Sequence, residues 1–530
     1  MDKKTGGKKL SRRIFLKGAV AGLGAIGMAA FGGGSEAKTV NIHQILKWDY
    51  TADVVVVGYG AAGGAAAVAA HVAGARVIIL EKMPKAGGNS AVCYGGMAIP
   101  KSVSAGIEYY GKLSFGTIDS DTLHGFAEAM AGVPDLLKKL GGHVQMGKRS
   151  PAFPALYHSD MQAFRFAPTG KAGFQFLSEL VEERRINVML NTAAENLIQI
   201  PETGEIAGVK ASRGGQEIFI KARKGVVLSC GGYENNPEMF GYYNFPGLED
   251  FIFPLGTPAN TGDGLKLASE AGAYLWHTAS LQWGGFCAKA PSKKYGVAVG
   301  MIIPRREKAD PFILVNKYGR RFMNEAKRLT HNKGTLEILH FDHDRAEYTN
   351  VPAYMIFDET YRKGGPIERG MWGDVGYSTV NRIYAWSENN ATEIEKGWII
   401  KADTVSDLAA RLKMDQGGLR ETVAKFNGYC ASGNDVAFAR SIVTMAPVEK
   451  PPYYAIELGL ALVNTQGGPK HDRYARILDP DNRPIPRLYA AGELGSFFGF
   501  LYQEGSNYPE AWAIGYIAGT HAAAQKSLKG

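Results

Sequence analysis

Between residues 50 and 81 the hydrophobic pattern changes character several times. Asp53–Val57 is a short β-branched run, residues 58–63 read Gly-Tyr-Gly-Ala-Ala-Gly, an alanine-rich stretch follows, and Ala75–Leu80 is a second apolar run ending at Glu81. Apolar runs of this length predict buried strands, and the alanine-rich stretch between them predicts a helix. Strand, glycine turn, helix and strand in this order predict a parallel βαβ unit and an α/β chain. Pro352–Asp358 reads as another buried strand, far downstream. The apolar run Gly18–Phe31 is shorter than the ~20 residues a spanning helix needs. No later stretch is continuously apolar for ~18 residues, so the remaining chain is expected to have no membrane span.

The turn itself carries chemistry. In G-x-G-x-x-G, Gly58 permits the tight turn, Gly60 lets a ligand's pyrophosphate approach the backbone, and Gly63 lets helix and strand pack closely. The helix that opens at Ala61 and Ala62 offers unpaired N–H groups and a partial positive charge to phosphate. Glu81, at the end of the second strand, stands where a carboxylate accepts hydrogen bonds from ribose hydroxyls. A lone glycine motif of this kind is also compatible with a purely structural turn. The flanking strands and the acid together predict a dinucleotide site.

Composition narrows the class. The chain has 530 residues, 45% of them apolar, which excludes disorder and predicts two to four domains. Its 67 glycines imply many tight turns or close backbone approaches. Cys93, Cys230, Cys287 and Cys430 are far apart and form no C-x-x-C or C-x-x-C-H pair, so no zinc knuckle or attached haem is expected and no metal ligand is assigned. The net charge of +9 is concentrated at the start, where Lys3, Lys4, Lys8, Lys9, Arg12, Arg13 and Lys17 fall. Without residues 1–37 the chain keeps 53 cationic and 49 anionic residues, or +4, which is no nucleic-acid footprint.

Ser11-Arg12-Arg13-Ile14-Phe15-Leu16-Lys17 resembles the twin-arginine export signal at every fixed position, and Ser35-Glu36-Ala37 reads as an A-x-A-like cleavage site. The resemblance implies export of an already folded, cofactor-loaded protein to the periplasm or another extracytoplasmic space. After Glu81, the run Glu81-Lys82…Gly87-Gly88-Asn89-Ser90, followed by Tyr94-Gly95-Gly96, resembles a flavin-contacting segment of the fumarate reductase and 3-ketosteroid dehydrogenase flavoproteins. Further motifs follow in the family's order: Gly231-Gly232-Tyr233, Thr261-Gly262-Asp263-Gly264, Leu488-Tyr489-Ala490-Ala491-Gly492-Glu493, and Gly505-Ser506-Asn507 before Gly515–Gly519. The resemblance implies FAD as cofactor, Glu493 bonding the flavin side chain, and a helix N-terminus facing the flavin ring. It also implies a Rossmann-like FAD-binding domain, residues 38–286 and 465–530, interrupted by an α+β capping domain, 287–464, that carries Asn316–Glu325. No histidine lies between Gly88 and Gly96, where covalently flavinylated relatives attach the cofactor, so non-covalent FAD is expected.

In relatives, a hydride crosses a carbon-carbon bond activated by a carbonyl and a protein group handles the proton. The family's proton-donating arginine column falls on Leu329, with Arg328 one place off. The positions that bind carboxylate in fumarate reductases hold Gln503 and Asn464, which disfavours a dicarboxylate. Tyr502 and Gly505 resemble the tyrosine and glycine amide that polarise the carbonyl in ketosteroid dehydrogenases, and Tyr109 or Tyr110 the second tyrosine of those enzymes. Arg328, Tyr502, Gly505 and Tyr508 are therefore the catalytic candidates. Three functions stay open: a reductase of an enone or acrylate fed by a separate cytochrome or quinone-linked protein, a ketosteroid-type dehydrogenase, and a flavin electron carrier.

Overall fold

The β-branched run becomes the central strand of a parallel sheet. The computed structural model describes residues 39–159, 161–166, 170–289, 299–302, 309–327, 335–368 and 375–528; residues 1–37, where the export-signal resemblance falls, and Arg328 and Leu329 lie outside them. β1 (Tyr50–Val57) passes through the glycine turn into α1 (Ala61–Val72) and β2 (Val77–Leu80). β3 (Gln145–Arg149) belongs to a small antiparallel sheet with Gly96–Ile99 and Met161–Arg165. α2 (Gly170–Glu183) then leads to β4 (Asn187–Met189), and an antiparallel meander ends in β5 (Gln216–Leu228).

Strands from both ends of the chain share the main sheet. β4, β2, β1 and β5 lie side by side in parallel, and β7 (Pro484–Ala490), introduced after the long strand β6 (Tyr453–Thr465), adds itself in parallel to β5 with Leu488 opposite Val226. Because strand side chains alternate, Val54 and Val56 join one core with α1, while Val55 and Val57 join another with Leu197 and Leu228. Burial on both faces is why these strands read as continuous apolar runs.

α3 (Asn507–Ala524) packs against α1 on the first face. A Cβ on Gly515 would stand 2.3 Å from the Ala62 carbonyl oxygen and one on Gly519 2.0 Å from that of Ala66, so only glycine allows this approach. The C-terminal block is thereby set against the first glycine turn.

β6 is the spine of the second sheet, pairing with Ile252–Pro254, Leu281–Ala288, Ala353–Asp358 and Ile399–Ala402. The strand expected at Pro352–Asp358 is Ala353–Asp358. Of these strands, Ile252–Pro254 lies before residue 287 and Leu281–Ala288 begins before it, so the second sheet draws on the chain ahead of residue 287. All described residues belong to one compact unit. The Asn316–Glu325 segment is a structural hub: Arg321 pairs with Glu325 (2.7 Å) and Asp435 (2.8 Å) in the protein interior.

Candidate functional site

A cavity of about 590 Å³ opens where the glycine turns of both blocks converge. At one end Gly58 holds φ +97°, and a Cβ there would meet the Ser229 carbonyl oxygen at 2.4 Å. Gly60 lines the cavity, where a Cβ would make ordinary contact with Ser90 Oγ at 3.5 Å. Gly63 is not on the wall: its Cβ would lie 1.9 Å from the Gly58 carbonyl oxygen, and it serves the packing of α1 on the turn. Ala61 and Ala62 line the cavity at the helix start, with the Ala61 N–H donating to Ser90 Oγ at 2.9 Å. Glu81 is held by the Tyr59 N–H (2.9 Å) and the Met83 N–H (2.8 Å), one on each oxygen, which leaves further lone pairs for a ligand. Lys82 bridges Thr261 and Asp263, both at 2.7 Å. Gly262 takes φ +83° to turn the chain and lies behind the wall.

The middle of the cavity is built on two carboxyls. Asn89 Nδ2 donates to Glu234 (2.9 Å) and to Glu493 (3.1 Å), and Asn260 Nδ2 donates to the same two oxygens at 2.8 and 3.3 Å. Glu493 also accepts from the Thr465 N–H at 3.1 Å and opens on the cavity, while Glu234 is buried behind it. Burial raises the pKa of both; the Glu234 charge adds to the rise at Glu493, whereas hydrogen bonds from Asn89, Asn260 and Glu493 pull Glu234 back down. Gly232 is buried among Thr465, Glu493 and Glu234 and does not reach the wall, whereas Gly88, Asn89, Ser90, Gly95, Gly96 and Gly231 do.

The far end is the start of α3. Tyr502 Oη accepts from the N–H groups of Gly505 (3.1 Å) and Asn507 (3.2 Å), so the tyrosine hydroxyl caps this helix. The sequence resemblance has Tyr502 and the Gly505 amide donating together to one substrate oxygen; in the structure the amide donates to the tyrosine instead. Burial raises the Tyr502 pKa, and the nearby Arg149 charge opposes that rise. Tyr508 lines the cavity, with its hydroxyl donating to the Gly170 carbonyl at 3.3 Å. Ser506 is fully buried and donates to the Ala98 carbonyl at 2.6 Å, so it supports the turn and does not line the cavity. Asn507 reaches the wall and bonds Gln466.

Gln503 is buried and hydrogen-bonded inside the protein. Its Oε1 accepts from Tyr109 Oη (2.7 Å) and the Ala152 N–H (2.8 Å), and its Nε2 donates to the Glu504 carbonyl (2.9 Å). Tyr109 and Tyr110 are buried away from the cavity wall. Sequence reasoning missed Arg149, which comes from the end of β3 to pair with Glu504 on this wall; no motif surrounds it. It also missed Glu234, whose position directly after Gly232-Tyr233 was the available signal, and the Val375–Asn381 strap, fixed to the main body by the Gly376 N–H on the Val92 carbonyl (2.7 Å).

A parallel sheet, a glycine-turn helix start, a ribose-type carboxylate and a continuous cavity reaching a second helix start define a dinucleotide flavoprotein. The chain belongs to the FAD binding domain family, which it matches over residues 53–508. It is 29% identical to the probable fumarate reductase Ifc3 of Shewanella frigidimarina, over 89% of this chain and 75% of that one. To the urocanate reductase of Eggerthella lenta it is 28% identical, over 89% and 74%. Among solved structures, it superposes on the open conformation of a flavocytochrome c3 fumarate reductase with TM-score 0.68 at 27% identity, covering 90% of this chain and 78% of that one. The 3-ketosteroid delta1-dehydrogenase of Sterolibacterium denitrificans, in complex with 1,4-androstadiene-3,17-dione, has the same fold: TM-score 0.72 at 24% identity, covering 89% and 99%. The residues fit FAD: the cavity-lining backbone at Gly60, the acceptor Glu81 and the cavity-facing Glu493 are of the kinds needed for pyrophosphate, ribose and flavin side chain. Among the described residues no His, Cys, Asp and Glu cluster suits a metal, and no helix is long and apolar enough to cross a membrane.

Proposed function

We propose that this chain is an FAD-dependent oxidoreductase acting on CH–CH bonds, which reduces a C=C bond conjugated to a carbonyl and does not use fumarate as its main acceptor. One observation carries the reading: the polar groups that replace a fumarate reductase's carboxylate binders are engaged internally, Gln503 with Tyr109 and Ala152, and Asn464 Nδ2 with the Thr465 carbonyl at 2.8 Å. A dicarboxylate needs charge-assisted partners at both ends. Relatives named for fumarate, acrylate, urocanate and vinyl phenol support the reaction class.

Bound non-covalently, FAD supplies the hydride from N5. The chain's part is to orient the acceptor, polarise its carbonyl and exclude water beneath the Val375–Asn381 strap. Glu81 and Glu493 hold the cofactor's hydroxyls, and the start of α3 offers its partial positive charge to the carbonyl side, where negative charge develops. Tyr502 and Gly505 remain the proposed carbonyl-polarising groups, and Arg328, or Tyr508 in its place, the proposed proton donor. The twin-arginine resemblance supports export, and with it a separate cytochrome or quinone-linked electron donor; a relative named fumarate reductase (cytochrome) is consistent with such a donor. The test is steady-state reduction with reduced methyl viologen as donor and a panel of enones, acrylates, steroids and fumarate. Turnover of an enone or acrylate well above fumarate supports the reading; fumarate as the fastest acceptor, or oxidation of saturated ketosteroids alone, overturns it.

A further inference from the structure

The fold brings a cation to the cavity wall from a strand far from the start of α3. Glu504, the neighbour of the internally engaged Gln503, has its side chain against the cavity wall and forms an ion pair with Arg149 at the end of β3. The same Gln503 fixes the turn that follows Arg149, because its Oε1 accepts from the Ala152 N–H at 2.8 Å. Gly505 makes room for the guanidinium: Arg149 Nη1 is 3.3 Å from the point a Cβ on Gly505 would occupy, and the Gly505 φ is +83°. The arginine side chain is 33% exposed and the glutamate 5%, so the carboxylate is the buried partner and the guanidinium the accessible one. A guanidinium has five N–H donors in a planar fork, more than Glu504 can take.

The pair as a whole is neutral. It therefore suits one added carboxylate, which completes a carboxylate–guanidinium–carboxylate arrangement, and not two. Among the described residues, the other cations on the wall lie elsewhere: Lys82 is paired with Asp263 and Lys85 follows it, both close in sequence to Glu81, and Lys171 is exposed at the start of α2. Leu255, Val375, Val380 and Val463, also on the cavity wall, provide apolar surface for the rest of the molecule.

We infer that Arg149 holds the substrate's carboxylate, so that the substrate is an α,β-unsaturated monocarboxylic acid with an apolar or aromatic remainder. This rests on the reading above that the chain reduces a conjugated C=C bond. Gln503 is the positioning residue that sets Arg149 in place.

The experiment is equilibrium binding to oxidised, FAD-loaded protein, followed by the perturbation of flavin absorbance, with trans-cinnamate, its methyl ketone counterpart 4-phenylbut-3-en-2-one, and fumarate as probes. Wild type is expected to bind cinnamate in preference to fumarate. Arg149→Met is expected to weaken cinnamate about 100-fold and the ketone about tenfold or less, with flavin loading unchanged. Arg149→Lys, which keeps the charge and loses the fork, is expected to fall between. The double variant Arg149→Met/Glu504→Gln separates lost attraction from the repulsion of an uncompensated glutamate: cinnamate should stay weak in it. Recovery there, cinnamate affinity unchanged in Arg149→Met, or a loss seen in Lys171→Met instead would each overturn the inference. Wild type that binds and reduces the ketone but not cinnamate overturns the inference alone, whereas wild type reoxidised by neither probe overturns the functional reading with it.

Discussion

Replacing Glu510 by glutamine tests the electrostatics of the helix that carries the far end of the cavity. Glu510 sits in the first turn of α3, 1% exposed, its two oxygens accepting from Ser496 Oγ and the Phe497 N–H, both at 2.8 Å. Burial pushes its pKa up to about 8 from an ordinary 4.5, against the two hydrogen bonds, which pull it down. The unfolded chain thus releases this proton near pH 4.5 and the folded protein near pH 8. Between those values the unfolded state binds fewer protons, so stability falls as pH rises. The slope is about 1.4 kcal/mol per pH unit, and the whole window amounts to about 5 kcal/mol. Glutamine keeps the acceptor for Phe497 and turns the Ser496 bond into a donation, with no charge to bury. Urea unfolding of the FAD-loaded protein, followed by flavin release and circular dichroism from pH 5 to 9, should show the variant gaining on wild type by several kcal/mol across that range. Parallel pH profiles for the two proteins would refute the reasoning.

Three further outcomes follow from distances already given. Tyr502→Phe leaves the Gly505 and Asn507 N–H groups without their acceptor, and at roughly 1 to 3 kcal/mol per buried group it should lower the thermal midpoint as well as turnover; a midpoint equal to wild type would show that the hydroxyl does not cap α3. Gly519→Ala drives a Cβ to within 2.0 Å of the Ala66 carbonyl oxygen and should separate α3 from α1, lowering both FAD content and stability; fully loaded protein with an unchanged midpoint counts against that packing. Glu81→Ala should weaken FAD by about 2 to 4 kcal/mol, taking two ribose bonds at roughly 1 to 2 each, measured by titrating apoprotein with FAD.

The main sheet was legible at β1 and β2 because Val54–Val57 and Val77–Leu80 are buried on both faces and read as apolar runs, whereas β5 carries Lys221, Arg223 and Lys224 and is buried throughout only over its last four residues. The glycine turn was legible because Gly58 and Gly63 each meet a carbonyl oxygen that excludes any side chain. Ordered motifs also placed most of the cavity wall, but not its depth. Gly63, Gly232, Gly262 and Ser506 belong to the same motifs as wall residues, yet stand behind the wall, and spacing alone does not separate a glycine that admits a ligand from one that admits a neighbouring strand. The second sheet's early strands were missed because Ile252–Pro254 is only three residues long and Leu281–Ala288 carries Gly284 and Gly285. Arg149 was illegible for a different reason: its partner Glu504 is 355 residues away, and only the folded chain brings β3 to the start of α3.

The most direct test of the account is a single anaerobic turnover. FAD-loaded protein reduced with one equivalent of dithionite is mixed in deuterium oxide with trans-cinnamate or its methyl ketone, and flavin absorbance and product mass are followed together. The account predicts rapid return of oxidised flavin and one saturated product per flavin, carrying deuterium on both former double-bond carbons. Reduced flavin that persists with both acceptors, or reoxidises without forming a saturated product, would contradict it.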